Sequence, residues 1–195
     1  MKTAWNKARK PVLLTFTALA VIALFYFCAR RQIDNNEKIA AENEITKLIN
    51  RDLELNYPST PKSVVSLYSD IISVLYKEDC TDDQVELLAK QARGLFDEEL
   101  LQLNEFEGYM DRLEIELELY ENSDRYISGY EIESGYNIEY FKIKNDSYAR
   151  IAVKYYVREG KNIINIYEEY TLREDEDGNW KILYWELADA SSMED

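Results

Sequence analysis

The rhythm of apolar and polar residues changes twice along this chain, and each change marks a different kind of element. Residues 11–29, PVLLTFTALAVIALFYFCA, form a run of nineteen without a charge. As a helix, a run of that length spans ~28 Å, close to the ~30 Å hydrocarbon core of a bilayer. Only Thr15, Thr17 and Cys28 interrupt its apolar surface. The pattern predicts a transmembrane helix; the competing reading is a globular helix buried on every side.

Beyond the run the period becomes helical. Residues 32–55 lack Gly and Pro and carry Ala41, Ile45, Leu48, Ile49 and Asp52/Leu53 as a stripe at helical spacing. This predicts a polar stalk helix that becomes the first helix of a domain, or else a short coiled coil. Pro58 and Pro61 then break the chain, and Thr60 can cap a helix over residues 61–77 that turns Val64, Tyr68, Ile71, Ile72 and Leu75 to one side. Thr81 and Gln84 fit a capping box, opening a helix that buries Val85, Leu88, Ala92 and Leu95 and stops at Gly94. A short helical turn follows over residues 97–101. Residues 104–120 carry both signals: Leu113, Ile115, Leu117 and Leu119 alternate as in a strand, while Phe106, Tyr109/Met110, Leu113, Leu117 and Tyr120 recur as in a helix. The length of the second pattern favours helix.

From residue 124 the period is two. Turn signals at Ser134-Gly135, Asn145-Asp146, residues 159–162 and residues 175–179 divide the remainder into five strands, with antiparallel neighbours expected from such short connections. In the third strand Ala149, Ile151, Val153, Tyr155 and Val157 share a face. In the fourth, Ile164, Ile166, Tyr170 and Leu172 share theirs with Glu168. In the fifth, Trp180, Ile182 and Tyr184 stand opposite Lys181, Leu183 and Trp185. The fold class is therefore α+β: an N-terminal transmembrane helix and helical stalk, then helices packed on a curved antiparallel sheet. The domain boundaries are a basic tail over 1–10, the span over 11–29, stalk and linker over 30–60, the domain over 61–188, and a flexible tail over 189–195.

Charge sets the orientation. Residues 1–31 hold three Lys, three Arg and no acid, a charge of +6; the overall −15 leaves −21 for the remainder. The basic end should stay in the cytoplasm and the acidic domain outside, giving a single-pass cell-membrane protein with an uncleaved anchor. So acidic an exterior repels phosphate backbones, which excludes nucleic acid as a partner. There is no histidine, and the two cysteines, Cys28 and Cys80, lie in different segments, so no disulfide is expected. The acids flanking Cys80 disfavour a thiolate.

The stretch from Tyr170 to Trp185, YTLREDEDGNWKILYW, resembles the nuclear transport factor two-like (cystatin-like) superfamily, and in particular uncharacterised single-pass proteins of Gram-positive bacteria. The likeness extends over residues 61–188 and encodes a fold rather than a reaction. It implies a cone, in which a curved sheet wraps around helices and often encloses an apolar pocket. Members include isomerases, dehydratases, scaffold domains and domains without a known ligand, so the likeness constrains activity weakly.

Several residues are candidates for chemistry. Asp175, Asp177, Asn179 and Glu186 mimic a calcium loop, but a hairpin turn explains them more simply, and no metal, cofactor or catalytic residue is assigned. Glu168 interrupts an apolar face. In a cone pocket its pKa would rise by desolvation, with a tyrosine as hydrogen-bond donor; otherwise it reaches solvent at a strand end or pairs with Arg150 or Lys154. The pocket candidates are Glu168, Tyr140, Tyr155, Tyr184 and Trp180. The expected function is a non-catalytic interaction or scaffolding module with a protein partner at the cell surface. The alternatives are binding or sensing of an apolar small ligand, or a small isomerase or dehydratase using Glu168 and a tyrosine. A cavity of ~300 Å³ or more with Glu168 inside would favour the alternatives. Filling of that space by Tyr155, Ile166 and Trp180 would favour scaffolding.

Overall fold

The computed structural model describes residues 2–77 and 79–193, with side chains from residue 24 onward. The chain forms two units, Met1–Asn43 and Glu44–Asp195. From Lys2 onward the first unit is part of one helix, α1 (Lys2–Ile49). Most of the expected membrane span at 11–29 lies outside the residues with described side chains; among the described residues no helix is long and apolar enough to cross a membrane. Leu24, Phe25, Tyr26 and Phe27 are 64–78% exposed.

The second unit is α+β. The last turn of α1 contributes Ile45 and Leu48 to its core. α1 ends six residues short of the expected Leu55. Asp52 accepts hydrogen bonds from the backbone N–H groups of Glu54 (2.9 Å) and Leu55 (3.0 Å), a local turn that competes with helix. α2 (Pro61–Leu75) and α3 (Asp82–Arg93) start where the capping residues place them, each with a reciprocal box on Thr60 or Thr81. Gly94 does end α3, but in right-handed helical conformation. Its lack of a side chain serves packing instead: a Cβ there would lie 2.6 Å from Leu53 Cδ1. α4 (Glu98–Leu103) and α5 (Phe106–Asn122) follow. In α5 Leu113 is buried while Ile115 and Leu119 are each 60% exposed, so the helical spacing, not the alternation, decides burial.

Five antiparallel strands make one sheet in the order β1-β3-β4-β5: β1 (Arg125–Ile132), β2 (Glu139–Ile143), β3 (Asp146–Glu159), β4 (Asn162–Glu174) and β5 (Trp180–Leu187). The expectation of a hairpin at Ser134-Gly135 fails. β1 and β2 do not pair with each other. Both lie antiparallel along the same edge of β3, β1 on residues 153–159 and β2 on residues 146–150. Glu133 bridges the interruption, with its N–H donating to Ala152 O (3.0 Å) and its Oε1 accepting from Ala152 N (2.6 Å). The segment thus serves as one edge strand in two pieces.

Two bulges set which side chains face the helices. In β1, Ile127 pairs with Val157 and Gly129 with Tyr156, so Ser128 is the extra residue. In β5, Ile182 pairs with Leu172 and Tyr184 with Thr171, so Leu183 is extra. An extra residue reverses the alternation beyond it. Trp185, opposite Tyr170, therefore joins the inner face, and Tyr184 leaves it. At residues 175–179 the hairpin turn carries Gly178 at φ +81°, and Asp175 Oδ1 accepts from the N–H groups of Asp177 and Asn179. Part of the expected flexible tail, Ala190–Met193, is a 3-10 turn; residues 194–195 lie outside the described ones.

The α3–α4 connection is tied to the sheet. Phe96 bridges Ile182, with Asp97 N donating to Ile182 O and Ile182 N to Leu95 O, both at 2.8 Å. Asp97, 4% exposed, caps α4 through Glu99 N and takes both Nε (3.0 Å) and Nη2 of Arg173. Asp97→Ala removes the cap and leaves Arg173 without its main partner. Unfolding in urea, followed by circular dichroism, should show a loss of about 2–4 kcal/mol. A loss under ~0.5 kcal/mol would place the pair among ordinary surface contacts.

Candidate functional site

Between α5, α2 and the inner face of the sheet lies a cavity of about 260 Å³. It stays hollow because its walls are large rigid rings that brace one another. Tyr68 sits 5.7 Å from both Tyr170 and Trp185 and 5.8 Å from Phe96, centroid to centroid, and Tyr170 stacks on Trp185 at 6.0 Å. Edge-to-face and offset contacts of this kind hold planar groups apart at fixed angles instead of letting them collapse. On the α5 side Leu113 and Tyr120 close the wall, and exposed Arg112 and Glu116 frame the mouth. Arg112 Nη2 donates to Asn104 Oδ1 at 2.7 Å.

Glu168 lines this cavity, half-buried in the middle of the sheet opposite Val153. Its side chain follows from strand phase, since residues 166, 168, 170 and 172 share the inner face. Tyr170 OH donates to Glu168 Oε2 at 2.5 Å. That commits the only proton of Tyr170, so Tyr155 OH must donate to Tyr170 OH (2.9 Å). Tyr155 is then committed as well, and Ser69 Oγ donates to Tyr155 OH (2.8 Å). Four hydroxyl and carboxyl groups thus form a single polarised chain, Ser69 to Tyr155 to Tyr170 to Glu168. Ser69, Tyr155 and Tyr170 are all at most 3% exposed.

Burial dominates the electrostatics. Desolvation pushes the Glu168 carboxyl above its ordinary value of 4.5; the Tyr170 hydrogen bond opposes this, and the charge of Glu116 adds to it. Burial likewise raises Tyr155 and Tyr170, with Tyr109, another wall residue, pushed up to about 12. Burial also raises Tyr76, followed by its contact with Glu116. The cations expected as partners of Glu168 are engaged elsewhere: Arg150 with Glu139 (2.8 Å) and Glu169 (3.1 Å), and Lys154 with Glu131 (2.6 Å).

Of the five candidate pocket residues, Glu168 and Tyr155 meet in the cavity and three do not. Tyr184 turns outward, 43% exposed, because of the Leu183 bulge. Tyr140 pairs with Ala149, four residues along β3 from the partner of Glu168, which puts it ~13 Å away along the strand. Trp180 sits at that same far end, its ring 5.9 Å from that of Tyr140. Tyr170, Ser69, Trp185 and Glu116 belong to the site in addition to the sequence candidates. The Glu168-x-Tyr170 spacing was a usable signal, since it puts the two on one face of a strand. Glu116, three residues from Leu113 and four from Tyr120, falls on the inward edge of α5 by helical spacing. Among the described residues no three acids or thiols converge as a metal site.

Residues 1–185 match the family described as a domain of unknown function (DUF6715). The chain belongs to that family. The DUF6715 match begins at the N-terminus and ends at Trp185, so it takes in the apolar run together with every strand that lines the cavity. No curated protein matches the sequence.

Glu168→Gln tests the buried carboxyl directly. A raised pKa means the folded state holds this proton more tightly than the unfolded chain does. The carboxyl's contribution is fully present below the unfolded value and is lost as pH rises through the folded one. Glu168→Gln keeps an acceptor for Tyr170 without the charge. It should match the parent in stability near pH 4 and exceed it at pH 7 by on the order of 1 kcal/mol, read from thermal melts across pH. Lower stability at pH 7 would mean that the charge is compensated in the fold.

Proposed function

We propose that this chain is a single-pass membrane protein whose acidic α+β domain lies outside the cell and binds a small organic ligand in the cavity at Glu168. The cavity carries the reading: it joins aromatic walls to a few converging polar groups, the combination expected of a ligand site. At about 260 Å³ it falls a little short of the ~300 Å³ typical of drug-sized ligands and suits a smaller molecule. Tyr155 and Ile166 line it without filling it, and Trp180 lies elsewhere, which favours ligand binding over scaffolding. The cone-like, cystatin-like architecture suggested by the resemblance agrees with helices capping one face of the sheet.

The membrane assignment rests on the uncharged run at 11–29, on the +6 charge of residues 1–31, and on four consecutive exposed large side chains, Leu24 to Phe27. Water penalises such a patch and lipid does not. The expected topology is an N-terminus in the cytoplasm and a retained anchor.

Two measurements test the reading. Protease shaving of intact cells should remove an epitope at Asp195 and spare one at Met1; the opposite pattern rejects the orientation. For the ligand, the full chain in nanodiscs should be screened against small fragments by ligand-observed NMR. Hits should compete for one site and vanish in Ile72→Trp, which fills the cavity from α2. Hits indifferent to Ile72→Trp would reject the cavity as the binding site.

A further inference from the structure

The proposed ligand site has a charge imbalance that narrows what it can hold. Glu168 Oε2 is taken by Tyr170, while Oε1 has no hydrogen bond to any described residue. No Lys or Arg among the described residues pairs with this carboxylate. A second carboxylate, Glu116, lines the same cavity close enough for its charge to act on Glu168. Among the described residues the cationic side chain in the lining is Arg112, which donates to Asn104 Oδ1. Half of the remaining lining is aromatic, Tyr68 and Trp185 included, and the rest is almost all aliphatic.

We propose that the ligand of this cavity is an organic amine: an ammonium group directed at Glu168 and Glu116, carried on a short apolar or aromatic body that lies against the rings. The inference rests on the ligand-binding reading above and specifies its chemistry. A neutral ligand would leave Glu168 desolvated and uncompensated, which is costly. An anionic ligand would add a third negative charge. An ammonium ion supplies donors for the open Oε1, offsets one of the pair's two charges, and meets aromatic rings suited to cation–π attraction. A bare or hydrated metal ion fits poorly, since the described residues offer no third acidic or thiol ligand and the rings offer none. The −21 charge of residues beyond 31 also raises the local concentration of cations around the mouth. At about 260 Å³ the cavity suits a small, single-ring molecule.

Three probes of that size and shape separate the possibilities: 2-phenylethylamine, 2-phenylethanol and phenylacetate, titrated calorimetrically into the full chain in nanodiscs, with empty nanodiscs as the blank. The amine should bind at least tenfold more tightly than the alcohol, and phenylacetate should not bind. Glu168→Gln should remove most of the preference for the amine, and Glu116→Gln should reduce it by a smaller amount. Equal binding of amine and alcohol to the parent chain overturns the amine assignment and leaves the ligand-binding reading standing. Preference for phenylacetate does the same. Absence of heat from all three probes overturns the amine assignment; if fragments also fail to show a site sensitive to Ile72→Trp, the ligand-binding reading falls with it.

Discussion

Hydroxyl groups buried at the centre of a protein must be hydrogen-bonded, and here that requirement fixes the site. Ser69, Tyr155 and Tyr170 lie where water cannot serve them, between α2 and the middle of the sheet. Each hydroxyl has one proton to give, so a chain of them needs a terminus that only accepts. Glu168 is that terminus. An apolar residue there would leave a phenol donor with no partner, at about 1–3 kcal/mol. The carboxyl is thus held inside by its neighbours even though burial penalises its charge. The chain also couples α2 to β3 and β4 through directed bonds, which non-directional apolar packing does not provide. That fixes the angle of the Tyr155 and Tyr170 rings that wall the cavity.

The sequence is most informative where one local rule decides the outcome. The caps at Thr60 and Thr81 open α2 and α3 as the residue types dictate. Ala149, Ile151, Val153, Tyr155 and Val157 are all buried, because β3 is paired on both edges and its inner face has nowhere else to go. Even the ambiguous segment yields to period: a helix through Leu113 and Leu117 must turn Ile115 and Leu119 outward.

It is least informative where the answer depends on a partner strand. Nothing in WKILYW says that Leu183 is skipped; the bulge exists only relative to the register of β4, and it exchanges Tyr184 for Trp185 on the inner face. The Ser134-Gly135 turn likewise looks like a hairpin until Glu133 is seen stitching the two edge segments to Ala152. The end of α1 has a similar cause. Residues 50–55 have adequate helical propensity, but Asp52 offers the backbone an alternative acceptor. Gly94 shows the reverse error, a right boundary for the wrong reason: the position needs room for Leu53 more than it needs conformational freedom. Local chemistry places elements, and long-range pairing decides which face of an element reaches the site.

The cavity and its carboxylate are both unfavourable for stability taken alone. An apolar core of this size could fill the space with Leu or Phe and end the hydroxyl chain by removing it altogether, replacing Tyr155 and Tyr170 with Phe and Glu168 with an apolar residue. Such a core would lose no hydrogen bond, because donor and acceptor would leave together. The fold instead keeps a hollow walled by rings, an acceptor in excess of its protein donors, and a second acid at the mouth. Departures from local consistency of this kind concentrate where a molecule other than the protein completes the interactions. The departures here coincide in a single place, and the positively charged, partly apolar guest proposed above would relieve them together.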